Sequence, residues 1–395
     1  MRKLRPNALP RTVWALGFVS MFMDVSSEMI HALLPLFLTT TLGASVALVG
    51  LIDGVAESTA SISKIFSGYI SDRLGRRKPL ILLGYGLGAL SKPLFALAGA
   101  PSVVFGARFA DRIGKGLRGA PRDALIADVT PPEIRGRAYG LRQALDTAGA
   151  FIGPLAAIGL MALFANDFRA VFWVAVIPAA IAVALVLVGV EEKSAPRDDP
   201  KRAPIALRDL RRLDRAFWSV IAVGVAMTLA RFSEAFLVLK ANAAGLPLVF
   251  APAVLVVMNV VYSVGAYPAG ALADRIAPTT VLLLGLLALI AADLFLGFAP
   301  GLPGVFIGIA LWGAHMALTQ GVFAKLIADR APEGLRGSAF GLFNLATGVA
   351  MLAASVIAGV LWDRLGPTAT FIAGAAFALF AGLIATLSIR GRAKE

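Results

Sequence analysis

Apolar residues run along this chain in long stretches that are separated by short polar segments. Most stretches are about 20 residues long, which is the length that an α-helix needs to cross the hydrocarbon core of a membrane. Lipid offers no partner to backbone polar groups, so helices are the expected spanning element. The pattern predicts an all-α membrane protein with twelve transmembrane helices. In chain order they cover residues 13–38, 46–70, 79–99, 102–123, 138–163, 170–190, 216–239, 248–273, 279–298, 303–327, 338–361 and 368–389.

The composition agrees with this pattern and excludes other classes of protein. Hydrophobic residues make up 58% of the 395 residues and charged residues only 15%, whereas a soluble domain carries about 25% charged residues. The chain therefore leaves no room for a large soluble domain. It contains no cysteine, which excludes disulfides and thiolate metal sites.

The distribution of basic residues predicts the topology. With the N-terminus inside, Lys and Arg concentrate in the inward segments, and the outward loops hold only Arg169, Lys240 and Arg364. This asymmetry follows the positive-inside rule and places both termini in the cytoplasm. The net charge of +13 is thus expected to face anionic lipid headgroups rather than nucleic acid. Because the first apolar stretch carries Asp24 and Glu28, we expect it to remain as helix 1 of a multi-pass inner-membrane protein instead of being cleaved as a signal peptide.

A charged segment with several prolines divides the chain into two halves of six helices. We predict an N-terminal six-helix bundle over residues 1–190, a cytoplasmic linker over 191–215 and a C-terminal six-helix bundle over 216–395. Mixed charge and proline are typical of a solvated connector.

The two halves are repeats of each other. The tripeptide Ile-Ala-Asp at 126–128 recurs at 327–329, an offset of 201, and the pattern Gly-x-x-x-Asp-Arg at 68–73 recurs at 270–275, an offset of 202. Because six is an even number, both halves begin on the same side of the membrane. Parallel repeats of this kind place a substrate site between the halves, near the middle of the membrane.

The loop after helix 2 carries the most specific motif, Gly-x-x-x-Asp-Arg-x-Gly-Arg-Arg-Lys at 68–78. Glycine allows a tight turn and close helix approach, and an aspartate there can pair with basic residues or cap a helix N-terminus. In this position the loop resembles the signature loop of the major facilitator superfamily, and the likeness extends over the whole chain in span number, repeat and linker. The resemblance implies a cytoplasmic latch between the halves. Its residues would be Gly68, Asp72, Arg73, Gly75, Arg76 and Arg77, with Asp123 as the partner of an arginine.

Two further motifs favour export. Helix 5 carries Gly140, Gly149, Gly153 and Pro154, where glycines on one face let helices approach closely and proline bends the helix. This spacing is similar to the antiporter motif of exporting members of the family. Arg108 in helix 4 matches the family arginine that is tied to proton coupling. The resemblance therefore implies the proton-coupled drug and metabolite efflux branch.

Charged residues inside the predicted helices are the candidates for binding substrate and protons. A charge at the centre of a membrane helix costs at least about 2.5 kcal/mol on insertion scales, so such residues usually face a cavity and serve function. We select Asp24, Glu28, His31, Glu57, Arg108, Asp111, Arg112, Lys115, Arg142, Asp146, Arg231 and Glu234.

Helical spacing groups these candidates. Asp24, Glu28 and His31 share one face of helix 1. Arg108, Arg112 and Lys115 form a basic stripe on helix 4, and arginine's fixed charge and forked donors favour an anionic or zwitterionic substrate. The alternative is that nearby carboxylates already neutralise the stripe.

Two pairs allow a structural interpretation as well as a functional one. Arg142 and Asp146 are one turn apart on helix 5, and Arg231 and Glu234 are nearly so on helix 7. Either pair could be an ion pair that holds a bundle together. A metal site built on His31 is less favoured than a hydrogen-bonded histidine, because residues along one helix face rarely converge on one ion.

Taken together, these patterns predict a secondary transporter that moves a small solute by alternating access and is not an enzyme. We expect protons as the coupling ion, membrane lipids as neighbours, no cofactor, no metal, no nucleic acid and a monomer. An importer or symporter and a metal-ion exporter remain alternatives for the direction and the substrate. A membrane enzyme or sensor is the rival class, although the sequence carries no nucleotide-binding or nucleophile motif.

Overall fold

The structure, a computed structural model, describes residues 9–74, 76–192, 215–330 and 336–390. These residues form helices and short connections, and they contain no strand. We number the helices α1 to α12 by span and treat α7 as two helical segments. They are α1 Arg11–His31, α2 Val46–Leu74, α3 Lys78–Leu97, α4 Pro101–Val129, α5 Arg135–Leu163, α6 Phe168–Gly189, α7 Arg215–Ala230 and Ala235–Ala243, α8 Ala253–Arg275, α9 Pro278–Phe298, α10 Gly301–Arg330, α11 Arg336–Leu365 and α12 Pro367–Arg390.

Among the described residues, eleven helical stretches are long and apolar enough to cross a membrane. The twelfth, α4, has 29 residues, which corresponds to about 43 Å at 1.5 Å per residue and is sufficient for a span. It differs from the others in being less apolar and in carrying more charged residues. The prediction of twelve helices in an all-α membrane protein is therefore confirmed.

The chain forms two compact units. The first contains the residues up to His31 and those from Thr59 through α6, and the second contains Ala32–Ser58 together with α7 to α12. The segment that joins the first two helices, with the N-terminal part of the second, is thus grouped with the second half of the sequence. Most of the predicted linker, residues 193–214, lies outside the described residues, so the domain boundaries along the chain stay a prediction.

Helix packing repeats between the units. In the first unit α1 packs against α5 and α6, and α3 packs against α4 and α6. In the second unit α7 packs against α11 and α12, and α9 packs against α10 and α12. Each of these contacts in the second unit corresponds to one of those in the first when the helix number rises by six, as the internal repeat in the sequence predicts.

Both leading helices, α1 and α7, are interrupted. The first is broken at residues 32–33, before a short helical turn at Leu34–Leu36 and a π-helical turn at Phe37–Thr41. Pro35 accounts for this break, because proline removes one backbone hydrogen bond and its ring clashes with the carbonyl group four residues earlier. The second is broken at residues 231–234, an offset of about 200 from the first break. Interrupted helices at corresponding positions of two repeats are a structural sign of a transport site.

Within the second unit, α11 holds the N-terminal end of α2. The carboxylate of Asp363 accepts hydrogen bonds from the backbone N–H groups of Val46 and Ala47 at 3.0 and 2.8 Å. A carboxylate at a helix N-terminus satisfies donors that have no partner inside the helix. A Cβ atom on Gly359 would lie 2.6 Å from the Cα atom of Ala47, so only glycine allows this approach.

Candidate functional site

The interior of the first unit contains an ion pair between α3 and α4. The ammonium group of Lys92 lies 2.8 Å from Asp111 Oδ1 and also donates to Ser27 Oγ of α1 at 3.0 Å. Lys92 and Asp111 are only 1% and 2% exposed. Burying a charge is costly unless it is paired and hydrogen-bonded, so Lys92 and Asp111 stabilise each other. Asp111 lies on α4 as predicted, but Lys92 was not among the residues selected from the sequence.

Further basic side chains surround this pair. Arg112 Nε lies 3.7 Å from the second carboxylate oxygen of Asp111, and Arg108 and Arg112 are both buried. The guanidinium group of Arg118 lies 4.6 Å from the ring centroid of Tyr85, a cation–π contact. We call Lys92, Arg108, Asp111, Arg112 and Arg118 the polar core. Lys115, the third member of the predicted stripe, is exposed within the described structure.

A hydrogen-bonded chain leads from the polar core along α4. Tyr85 Oη and Ser20 Oγ are 3.0 Å apart, and Arg122 Nη1 donates to Ser20 Oγ at 2.8 Å. Arg122 also reaches Asp123 Oδ1 at 3.0 Å. Such chains fix the position of each polar side chain, because moving one member breaks the bonds of its neighbours.

The predicted pair on α5 joins the end of this chain. Arg142 Nη1 lies 2.8 Å from Asp146 Oδ2 and 3.7 Å from Asp123 Oδ1. Asp123 thus pairs with arginines of α4 and α5. Its predicted role as the partner of an arginine in the basic loop after α2 stays a prediction.

Glycines of α5 hold the acidic face of α1 close. A Cβ atom on Gly149 would lie 2.6 Å from the carbonyl oxygen of Met21 and 2.9 Å from Asp24 Cβ. A Cβ atom on Gly153 would lie 2.8 Å from Glu28 Cβ. These two members of the predicted glycine motif therefore form the contact with α1, whereas Gly140 has open space around it. On α1 itself, His31 Nδ1 lies 3.7 Å from Glu28 Oε2.

The basic loop after α2 is tied to the same unit. Arg77 Nε lies 2.5 Å from Asp128 Oδ2, at the end of α4. Glu192 accepts hydrogen bonds from the backbone N–H groups of Arg77 and Lys78, and so caps α3. Arg73 and Arg76 are exposed. The side chain of Asp72 and all of Gly75 lie outside the described residues, so the latch stays a prediction.

The structure separates two sets of residues that the sequence analysis had grouped as candidates. Glu57 belongs to the segment grouped with the second unit, whereas Asp24 and Glu28 belong to the first. Arg231 and Glu234 do not lie on one continuous helix, because α7 ends at Ala230 and resumes at Ala235. Ser233 stabilises this break: its hydroxyl accepts from the Ala235 N–H group at 3.1 Å and donates to Asp53 Oδ2 at 2.9 Å.

Sequence reasoning missed several residues of this site. Lys92 lies inside a predicted helix, yet the spacing along α3 gave no indication that it faces Asp111. The contact between Tyr85 and Arg118 had no mark in the spacing along either helix, and neither had the contact between Arg122 and Ser20. In each case the contact joins two helices, and a pattern within one helix cannot reveal it.

The charged side chains of this arrangement can bind an ion of opposite charge. Within the described part of the chain, no group of three or more His, Asp or Glu residues is placed to hold a metal ion. The polar core offers forked, charged donors that suit carboxylate or phosphate groups. Carboxylates on α1 and α5 lie beside it, as in the acid chains that relay protons through transporters.

Comparisons with known proteins agree with this architecture. A sequence model of the Major Facilitator Superfamily matches residues 16–260 and 241–395. An uncharacterized MFS-type transporter of Methanocaldococcus jannaschii is 30% identical over 384 residues, which cover 95% of this chain and 94% of the relative. The multidrug resistance protein MdtH of Proteus mirabilis is 36% identical over 159 residues, covering 40% of this chain and 36% of MdtH.

Among solved structures, the nucleoside transporter NupG superposes with a TM-score of 0.76 at 13% identity, covering 96% of this chain and 98% of NupG. This likeness extends over nearly the full length of both chains and shows the fold. The relatives and structural neighbours are transporters rather than enzymes. With its twelve helices in two repeated halves and the family match along its length, this chain is a multi-pass membrane transporter that belongs to the major facilitator superfamily.

Proposed function

We propose that this transporter exports a small organic anion or zwitterion in exchange for protons, and that the polar core binds the negatively charged group of the substrate. The observation that supports this most is the excess of basic side chains in the core. Four bases and one acid are buried there: Lys92, Arg108, Arg112 and Arg118 against Asp111.

Neighbouring charges do not cancel the excess. Asp24, Glu28, Asp123 and Asp146 add four acids, and Lys115, Arg122 and Arg142 add three bases, so seven bases still stand against five acids. If acids neutralised the stripe, the number of acids in and beside the polar core would have to equal the number of bases. An incoming carboxylate or phosphate would balance the charge, and charge-assisted hydrogen bonds are stronger in surroundings with a low dielectric constant.

Proton coupling is proposed to act through the carboxylates of α1. Asp24 interacts electrostatically with the acids Asp146 and Glu28 and with the bases Lys115 and Arg118. A proton on Asp24 and an anion beside Arg118 would therefore change the same local field. Protonation and substrate binding are coupled when they share charged neighbours in this way.

The direction of transport and the sidedness are part of the proposal. The partial likeness to MdtH and the glycine motif of α5 support export. We place both termini in the cytoplasm, with the loop at 68–77 as a cytoplasmic latch between the halves, in an inner membrane. We propose that the transporter works as a monomer.

A thermal-stability screen of the purified protein tests the substrate class. A ligand that binds the folded state raises the melting temperature by mass action. We expect small organic acids, phosphorylated compounds or amino acids to raise it. Stabilisation by organic cations or neutral compounds alone would contradict the proposal.

Flux into proteoliposomes then tests the direction of coupling. If protons are exchanged for substrate, an acidic lumen drives uptake of the ligand found in the screen. A symporter, which is the runner-up, would instead take it up when the outside is acidic. Uptake that ignores the pH gradient would contradict proton coupling itself.

The substitution Arg112→Gln separates binding from charge balance. Charge-assisted hydrogen bonds contribute about 1.5–3 kcal/mol, so we expect ligand affinity to fall roughly 10- to 100-fold. The melting temperature of the ligand-free protein should not fall, because the core loses one of its excess cations. Arg364→Gln, at an exposed position of the second unit, is the matched control and should change neither quantity. A lower melting temperature with unchanged affinity would assign Arg112 a structural role.

A further inference from the structure

The second unit contains a buried carboxyl group in unusual surroundings. Asp293 of α9 is 1% exposed, and neither of its carboxyl oxygens has a hydrogen-bonding partner among the described residues. A Cβ atom on Gly374 of α12 would lie 2.7 Å from Asp293 Oδ2 and 3.1 Å from Phe232 Cε1. The carboxyl group and the ring of Phe232, at the break in α7, therefore both lie against the backbone of α12 at Gly374.

The internal repeat relates this position to the ion pair of the first unit. Gly84 of α3 approaches the carbonyl oxygen of Gly114 on α4, and Gly285 of α9 approaches the carbonyl oxygen of His315 on α10. The residues of the second contact lie 201 positions after the corresponding residues of the first. The same offset relates Lys92 to Asp293.

The partner position has changed as well. An offset of 201 relates Asp111, which pairs with Lys92, to Trp312. The repeat thus carries a base and an acid in the first unit, but an acid and an indole in the second. Trp312 Nε1 is buried and has no hydrogen-bonding partner in the described structure. Asp293 consequently lacks the counter-charge that its counterpart has.

The helices around Asp293 offer few charged groups. From α10 there is His315, whose Nδ1 lies 3.0 Å from the Gly285 carbonyl oxygen and whose Nε2 has no partner among the described residues. The other charged residues of α10 are Lys325, Asp329 and Arg330, near its C-terminal end. From α7 there are Arg231 and Glu234 beside the break, and Arg231 acts electrostatically on His315. Helix α12 has no ionisable residue between 367 and 387, and α8 has Asp274 and Arg275 only at its far end.

Aromatic rings close the space on the side of α7. The ring centroid of Phe232 lies 5.4 Å from that of Trp312 and 5.6 Å from that of Phe371. An ionised carboxylate in such a place would lack both water and a counter-ion, which is among the costliest arrangements in a protein interior. A neutral carboxylic acid does not carry this cost.

We propose that Asp293 is a proton-carrying residue of the second unit, and that Phe232 at the break in α7 controls its contact with water. In the arrangement seen here the carboxyl group holds a proton. When the interrupted segment of α7 moves and takes Phe232 aside, water reaches the carboxyl group. The O–H bond then breaks, the proton passes to water and the carboxylate becomes hydrated. The reverse movement requires that a proton be taken up again. This deepens the proposed proton coupling and rests on it.

Infrared spectroscopy of the full chain in liposomes tests the proposal without a substrate. At neutral pH the wild type should show the carbonyl band of a protonated carboxyl group in an apolar environment, and Asp293→Asn should lack it. Asp363→Asn is the matched control, because it removes an exposed aspartate of the same unit and should leave the band in place. An equal band in wild type and Asp293→Asn would overturn the proposal.

Exchange with D₂O then distinguishes a proton carrier from a static buried acid. In the wild type the band should shift as deuterium replaces the carried proton while the protein stays folded, and Phe232→Ala should shift faster. A band that never shifts would refute the role of Asp293 as a proton carrier. If the band shifted no faster in Phe232→Ala than in the wild type, the gating role of Phe232 would be refuted. Neither readout needs transport, so failure of the export proposal would be visible separately, in the flux measurements.

Discussion

The substitution Gly153→Ala is expected to force α1 away from α5 and to lower the melting temperature. A Cβ atom there would lie 2.8 Å from the Val25 carbonyl oxygen and 2.8 Å from Glu28 Cβ, closer than real atoms approach. Relief requires movement of backbone rather than of a flexible side chain. Overpacking of this kind costs about 1–3 kcal/mol or more. Because Glu28 lies at the contact, transport should fall further than the loss of folded protein explains.

Gly159→Ala on the same helix is the control with the opposite expected sign. A Cβ atom on Gly159 meets nothing within 4 Å, and alanine in a helix is about 0.5–1 kcal/mol more favourable than glycine. The melting temperature of Gly159→Ala should therefore stay the same as that of the wild type or rise. Thermal unfolding of both purified variants, with membrane abundance measured alongside, checks the pair. If the two variants behaved alike, the proposed contact would have no energetic role.

This contrast shows what the sequence could predict about α5. The spacing of Gly149 and Gly153 correctly indicated a face for close helix packing, since small residues allow backbones to approach. It did not say which helix would use that face or that Gly140 would be unused. The number of helices, the internal repeat and the positions of charges inside spans all followed from local patterns.

The partners of the buried charges could not be predicted in the same way. Lys92 and Asp111 are 19 residues apart on different helices, and the choice between Asp111 and another acid depends on how α3 and α4 rotate against each other. The break in α1 had a visible cause in Pro35. The break in α7 has none in its own sequence, because Ser233 stabilises it through Asp53, a residue 180 positions away.

A second large effect is expected in the polar core: removing Asp111 should destabilise the protein more than removing its partner Lys92. Asp111 is the buried acid of the core, and it faces both Lys92 at 2.8 Å and Arg112 at 3.7 Å. Removing it as Asp111→Asn leaves these buried cations without that counter-charge. Breaking a buried pair by deleting one partner costs about 3–5 kcal/mol, because the remaining charge is not compensated. We therefore expect Asp111→Asn to lower the melting temperature strongly or to prevent folding.

Lys92→Met should cost much less, although it breaks the same pair. Asp111 would keep Arg112 beside it, and methionine fills a similar apolar volume. The double variant Lys92→Met/Asp111→Asn should then be more stable than Asp111→Asn alone, since one uncompensated cation is gone. Thermal unfolding of the three variants forms a double-mutant cycle, which isolates the coupling between the two residues. Equal losses in the two single variants would show that Asp111 interacts with Lys92 alone, and would remove the basis for a core with excess positive charge.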